Sequence, residues 1–237
     1  MSTTATKSRN GTTGGAAGAM SARTQRIMGA CGIGFVILAF VPFFVVPPGP
    51  PPDASGEAMV AFYSAHRSVL LLGGWVRSLG DPLSMVLLAG LVALMRRAEG
   101  EGGWLYLIFL MASLLSVALA EVLGAAAQLL HATTASSNPD VAKAISELMS
   151  LGFALYFLPL MAAWAAAGAV ITRTAVLPAW LGWWAWLLVA ASLVASVGMF
   201  VESGPLSGRG FGALAALLGQ FGWYVAASIV LVVRPRV

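Results

Sequence analysis

Three ionisable residues stand where an apolar chain can least carry them. Arg77, Asp81 and Glu121 lie well inside two long hydrophobic stretches of a protein in which only 9% of residues are charged. At bilayer depth an unpaired, dry charge is strongly unfavourable, so such residues mark a polar site between helices. One arginine against two carboxylates leaves one negative charge in surplus when all three ionise. A proton or a bound cation would balance it.

The spacing around these charges is helical. Gly73, Arg77, Asp81 and Ser84 recur at intervals of four, four and three and fall on one helix stripe. Val117, Glu121, Gly124, Ala125 and Gln128 form a second stripe, and Gly212, Ala216, Gln220 and Tyr224 a third. Small residues beside polar ones let helices approach closely and bond across the contact. At 1.5 Å per residue, Arg77 lies about 12 Å and Asp81 about 18 Å below the outer end of their span, and Glu121, Tyr156 and Gln220 about 14–17 Å below the outer ends of theirs. The spacing therefore predicts one polar layer drawn from four helices. Glu121 and Asp81 would be its anions and Arg77 their partner, with Gln128, Tyr156 and Gln220 as neutral hydrogen-bonding groups. The same residues admit a structural reading, in which Arg77 pairs with Asp81 within its own helix and Glu121 locks the bundle.

His66 and His131, the two histidines, fall near the outer ends of neighbouring antiparallel spans. With Glu57 or Asp140 they are weak candidates for a metal site or an external pH sensor. No HxxxH or HxxE spacing supports a ligand set, and interfacial histidines without a special role are the plainer reading. A lone cysteine, Cys31, excludes a disulfide framework. No lysine lies within a span, and Gly29, Gly32 and Gly34 stand inside a membrane helix, where they read as a close-packing face rather than a phosphate loop. Ser150 and Ser228 have no neighbouring histidine for a triad. No cofactor is implied, and enzymatic activity is not the favoured reading.

Positioning these groups falls to six apolar segments, each about the 20 residues a bilayer-crossing helix needs: Ile27–Val46, Val69–Met95, Trp104–Leu130, Ile145–Thr172, Trp180–Val201 and Phe211–Val233. The expected fold is all-α, a polytopic bundle of six transmembrane helices at residues 23–237, behind a disordered tail at residues 1–22 that is rich in Ser, Thr, Gly and Ala. Met20 is an alternative start, and the first span reads as a retained signal anchor. Pro82 should kink span two after Asp81. Asp53 or Ser55 should cap a short amphipathic helix that runs to Arg67 with Met59, Phe62 and Tyr63 on its apolar side. Asn138, Pro139 and Asp140 make a helix start that should run unbroken into span four.

Hydrophobic residues make up 59% of the chain, and the mean hydropathy is +0.88, which places it among integral membrane proteins. The formal net charge of +4 follows from basic cytoplasmic loops and implies no nucleic-acid partner. With the amino terminus inside, nine Lys and Arg (Lys7, Arg9, Arg23, Arg26, Arg96, Arg97, Arg173, Arg234 and Arg236) face the cytoplasm against three outside (Arg67, Lys143 and Arg209). Both termini are then cytoplasmic, and Trp180, Trp183 and Trp184 start span five at the inner interface.

Three short runs carry a family resemblance: Arg77-Ser78-Leu79-Gly80-Asp81 in span two, Ala120-Glu121 in span three, and Leu177-Pro178-Ala179-Trp180-Leu181-Gly182 before span five. Over roughly Arg26 to Val201 the chain resembles a large family of bacterial six-helix membrane proteins, defined as a domain of unknown function and common in actinobacteria and firmicutes. The resemblance implies a multi-pass protein of a bacterial plasma membrane and brings no established activity. Two positions depart from the family pattern. Ala118 replaces an arginine three residues before the span-three glutamate, and Ala179 replaces a basic residue after the proline before span five. Without its usual same-helix partner, Glu121 turns to Arg77 as counter-ion.

The expected function is a site that binds or passes a small amphipathic or cationic ligand, or protons, in the outer half of the bilayer. The alternatives are a non-catalytic scaffold or accessory subunit, acting as a homo-oligomer or within a membrane complex, and a lipid-acting enzyme, for which no nucleophile or metal set is present.

Overall fold

A computed structural model describes residues 20–50, 54–132, 138–201, 204, 205, 207 and 210–234. The expected tail at residues 1–19 lies outside the described residues, as do Asp53, Arg209 and Arg236. Every regular element among the described residues is a helix, with no strand: α1 (Ala22–Val45), α2 (Gly56–Ala65), α3 (Arg67–Ser78), α4 (Asp81–Glu99), α5 (Leu105–Ala132), α6 (Pro139–Thr174), α7 (Ala179–Ser196) and α8 (Phe211–Val233), with a 3-10 turn at Val197–Phe200 after α7. Taking α3 and α4 together, and α7 with its 3-10 turn, six helical segments are long and apolar enough to cross a membrane. The chain is thus a multi-pass membrane protein.

Local chemistry sets the helix ends. Ser21 accepts from the Thr24 amide and Ser55 from the Ala58 amide, each satisfying a first-turn donor. Asn138 accepts from the amides of Asp140 and Val141 at 3.0 and 3.3 Å, and the helix it starts runs unbroken for 36 residues through Pro159. The short amphipathic helix before span two ends at Ala65, with Met59 and Tyr63 buried and Phe62 half-buried.

Span two departs from a kinked single helix. It is broken at Leu79 and Gly80, whose backbones stay in the right-handed helical region while the hydrogen-bond ladder lapses. Pro82 has no N–H to offer the Ser78 carbonyl, and the Gly80 amide instead closes a tighter turn onto the Arg77 carbonyl at 2.9 Å. Asp81 consequently stands at the first turn of a new helix, where a carboxylate is favoured by the helix dipole.

The helices form a bundle with unlike halves. In one half, Trp164, Trp223, Phe109, Phe157, Leu87, Leu91 and Leu181 are almost completely buried. Trp164 meets Trp223 edge-on at 5.0 Å between centroids, and Trp223 donates to the Leu181 carbonyl at 2.8 Å, tying α8 to α7. Gly29 and Gly32 let α1 lie directly against α8, since a methyl group on Gly29 would stand 2.5 Å from the Ser228 carbonyl oxygen. In the other half, a smaller cluster of Met59, Tyr63, Leu70, Leu130 and Ala142 binds α2 over the ends of α3, α5 and α6. Between the two lies a hollow. Outside, Met111, Leu114, Leu115 and Val122 on α5 are exposed at helical spacing, which is the face a lipid-contacting helix presents.

Candidate functional site

The hollow is a cavity of about 300 Å³ between α1, α3, α4, α5, α6 and α8. Its wall follows α5 from Ser113 to Ala127, about 21 Å of helix at 1.5 Å per residue. Arg77, Asp81, Glu121, Tyr156 and Gln220 all line it. Five of the six residues singled out from the sequence are therefore brought to one space. The sixth, Gln128, lies off the cavity with its amide packed onto Gly74.

Arg77 donates from Nη2 to Oε1 of Glu121 at 3.2 Å, joining α3 to α5. The guanidinium rests over Gly124, where a Cβ would stand 3.0 Å from Nη2, so the bare backbone of α5 makes room for it. No ion pair within 4.0 Å joins Arg77 to Asp81, and the same-helix pairing is not formed. The broken ladder at Leu79–Gly80 separates the two residues that an unbroken helix would have stacked. Asp81 lines the same cavity as Arg77 and Glu121 and forms no ion pair with either of its charged neighbours. The side chains of Arg77 and Glu121 keep 37% and 43% of their surface uncovered, so the pair borders the open volume rather than being sealed in protein.

Across the cavity the Tyr156 hydroxyl donates to Gln220 Oε1 at 3.1 Å, and Gln220 Nε2 lies 2.7 Å from the same hydroxyl. This contact joins α6 to α8, and Tyr224 lines the same wall of the cavity. Phe35, Phe43, Phe153 and Phe221 complete an aromatic wall around the charges, with the Phe153 and Tyr156 rings stacked within 1° of parallel.

Deeper along α5, sequence reasoning missed Ser113 and Ser116. Ser116 donates to the Ala112 carbonyl at 2.9 Å, whereas the buried Ser113 hydroxyl has no partner. The signal was present: Ser113, Val117 and Glu121 are spaced by four, so the Glu121 stripe continues backwards to a polar residue. Phe35, Ala39 and Phe43 on α1 are also spaced by four, but an all-apolar stripe gives no hint of a cavity behind it.

The two histidines each take aromatic and backbone neighbours. His66 bonds the Phe62 carbonyl through Nδ1 at 2.9 Å and lies tilted against the Phe62 ring at 4.6 Å between centroids. His131 faces the Tyr63 ring at 5.5 Å, while Arg67 donates to its backbone carbonyl. No group of three or more His, Cys, Asp or Glu side chains is placed to hold a metal ion among the described residues.

These features define a class: an integral membrane helix bundle with an apolar, aromatic-walled cavity that carries one arginine and two acids. No known family model matches the chain, and no curated protein or solved structure matches it either. The family resemblance drawn from Arg77–Asp81, Ala120-Glu121 and Leu177–Gly182 thus gains no support from these comparisons, and the functional reading rests on the site itself.

Proposed function

We propose that the protein binds a small amphipathic cation in this cavity, within the outer half of a bacterial plasma membrane, with both termini in the cytoplasm. The observation that carries the reading is the charge arrangement. Arg77 is bonded to Glu121, and Asp81 brings a second carboxyl to the same cavity without an ion pair of its own. A ligand cation would balance it. The surrounding rings suit the same ligand, because aromatic faces attract a desolvated cation and cover its apolar body. A volume of about 300 Å³ is at the lower end of the range for small-molecule sites. Nine basic residues against three in the alternate loops support this orientation.

Benzyltrimethylammonium and its uncharged isostere neopentylbenzene separate charge from shape. In the purified protein the cation should raise the thermal midpoint more than the neutral molecule, and Asp81→Asn and Glu121→Gln should each abolish the difference. Equal stabilisation by the two compounds, or a difference that survives both substitutions, would refute the reading.

A scaffold role is the second reading, favoured by one observation. The polar contacts Arg77–Glu121 and Tyr156–Gln220 each join two different helices, as interhelical assembly bonds do. A folded Glu121→Gln protein that loses cation binding counts against this reading. Loss of the bundle itself counts for it.

A further inference from the structure

A second cleft lies at the opposite end of the bundle, where α4 turns into α5. It measures about 890 Å³ and is bordered by Arg96, Arg97, Glu101, Gly102, Tyr106 and, further along the helices, small and aliphatic residues of α4 and α5. We propose that it binds an anionic phospholipid, with the phosphate on Arg96 and Arg97 and an acyl chain in the furrow below.

The charge is available because of how the turn is built. Both guanidinium groups are exposed in the last turn of α4, and neither forms an ion pair among the described residues. Glu99, the nearest acid, is committed elsewhere. Its carboxylate accepts from the Leu105 amide at 3.1 Å and the Tyr106 amide at 2.8 Å, capping α5, so its charge is spent on the helix terminus. Glu101 shares the rim and forms no ion pair with either arginine. Arg96 is held over the Tyr106 ring at 6.0 Å, a contact that orients the guanidinium without neutralising it.

The shape below fits a chain rather than a free ion. Ala89 and Ala93, one turn apart on α4, leave a trough whose far wall is Leu107 and Leu110 of α5. From Ala89 to Arg96 the trough follows about 10 Å of helix. Trp104, 60% exposed at the head of α5, sets the level of the membrane interface, where indoles concentrate. Basic residues between helices at that level are the recognised setting for anionic headgroups.

Native mass spectrometry of the full chain, released from nanodiscs of mixed phosphatidylglycerol and phosphatidylcholine, tests the proposal. Wild type should retain phosphatidylglycerol over phosphatidylcholine by roughly thirty-fold, the ratio two interfacial arginines supply. R96Q/R97Q should lose the preference and R96K/R97K should keep most of it. Should the glutamine variant fail to fold, Ala93→Trp fills the trough without touching the charge and should also lose the lipid. Equal retention of both lipids by wild type would overturn the proposal. So would a preference unchanged in a folded R96Q/R97Q or Ala93→Trp protein, or displacement of the lipid by inorganic phosphate, which would assign the arginines to a free anion.

Discussion

Replacing Arg77 by Gln tests the charge arithmetic of the cavity directly. The Arg77–Glu121 contact of 3.2 Å corresponds to a gross attraction of about 5 kcal/mol at an effective dielectric constant near 20. Desolvation offsets most of it, and side chains left 37% and 43% uncovered are screened by whatever water enters the cavity. The net loss should be about 1–2 kcal/mol, with about 1 kcal/mol more because the Glu121 and Asp81 carboxyls then face each other without a cation. A total of about 2–3 kcal/mol lowers the thermal midpoint of a chain of this size by about 5–10 °C. Intrinsic tryptophan fluorescence follows the transition, since Trp164 and Trp223 are each 1% exposed in the folded state. The decisive comparison is R77Q/D81N, which removes one acid along with the base and should regain about 1 kcal/mol of the lost stability, while Asp81→Asn alone should not destabilise the protein. If Asp81→Asn costs the same in both backgrounds, charge balance does not hold these helices, and the reasoning fails.

Two further outcomes follow from the packing and from a group outside the membrane spans. Gly32→Val should destabilise the bundle by about 1–3 kcal/mol, because a Cβ there collides with the Ser228 hydroxyl and stands 2.8 Å from Leu87 Cδ2; a midpoint equal to wild type in the same fluorescence scan would show that α1 and α8 can separate at little cost. The Glu57 carboxyl is held below its ordinary value of 4.5 by bonds to its own backbone amide and the Ser55 side chain. A lowered native value means that its contribution to α2 is complete above about 4.5 and is lost as pH falls through the lower native value. Amide exchange at residues 57–59 should therefore gain relative to the rest of the chain only at the acid end of a pH series, and Glu57→Gln should remove that pH dependence.

The spans were legible because length and apolarity alone define them, and α8 begins and ends at the residues expected from hydropathy, Phe211 and Val233. The long fourth helix was legible for a different reason: Asn138 and Pro139 announce its start in chemistry specific to a helix terminus. The convergence of Arg77, Asp81, Glu121, Tyr156 and Gln220 on one cavity followed from depth arithmetic, which needs only the helix rise. The absence of an Arg77–Asp81 pair did not follow. A stripe drawn at four-residue spacing assumes an unbroken helix, and the lapse at Leu79–Gly80 changes the relation between Arg77 and Asp81. Gln128 went astray similarly, because a stripe on a single helix says nothing of which neighbour covers each part of it; Gly74 receives its amide before the cavity begins. The commitment of Glu99 to the α5 terminus depends on the path of a glycine-rich turn, which hydropathy does not describe.

The lapse in the ladder at Leu79 and Gly80 also has a mechanical meaning. Bending a continuous helix strains several hydrogen bonds together, whereas a rotation at this point meets a ladder already interrupted. The segment on one side, α3 with the small cluster beneath α2, can therefore tilt as a lever while α4 stays bolted into the tryptophan-rich half. Arg77 sits at the lever's short arm, one turn from the fulcrum. A tilt would have to part Arg77 from Glu121 at 3.2 Å and Arg67 from the His131 carbonyl at 3.1 Å, so these two α3–α5 contacts resist flexing of the hollow half of the bundle.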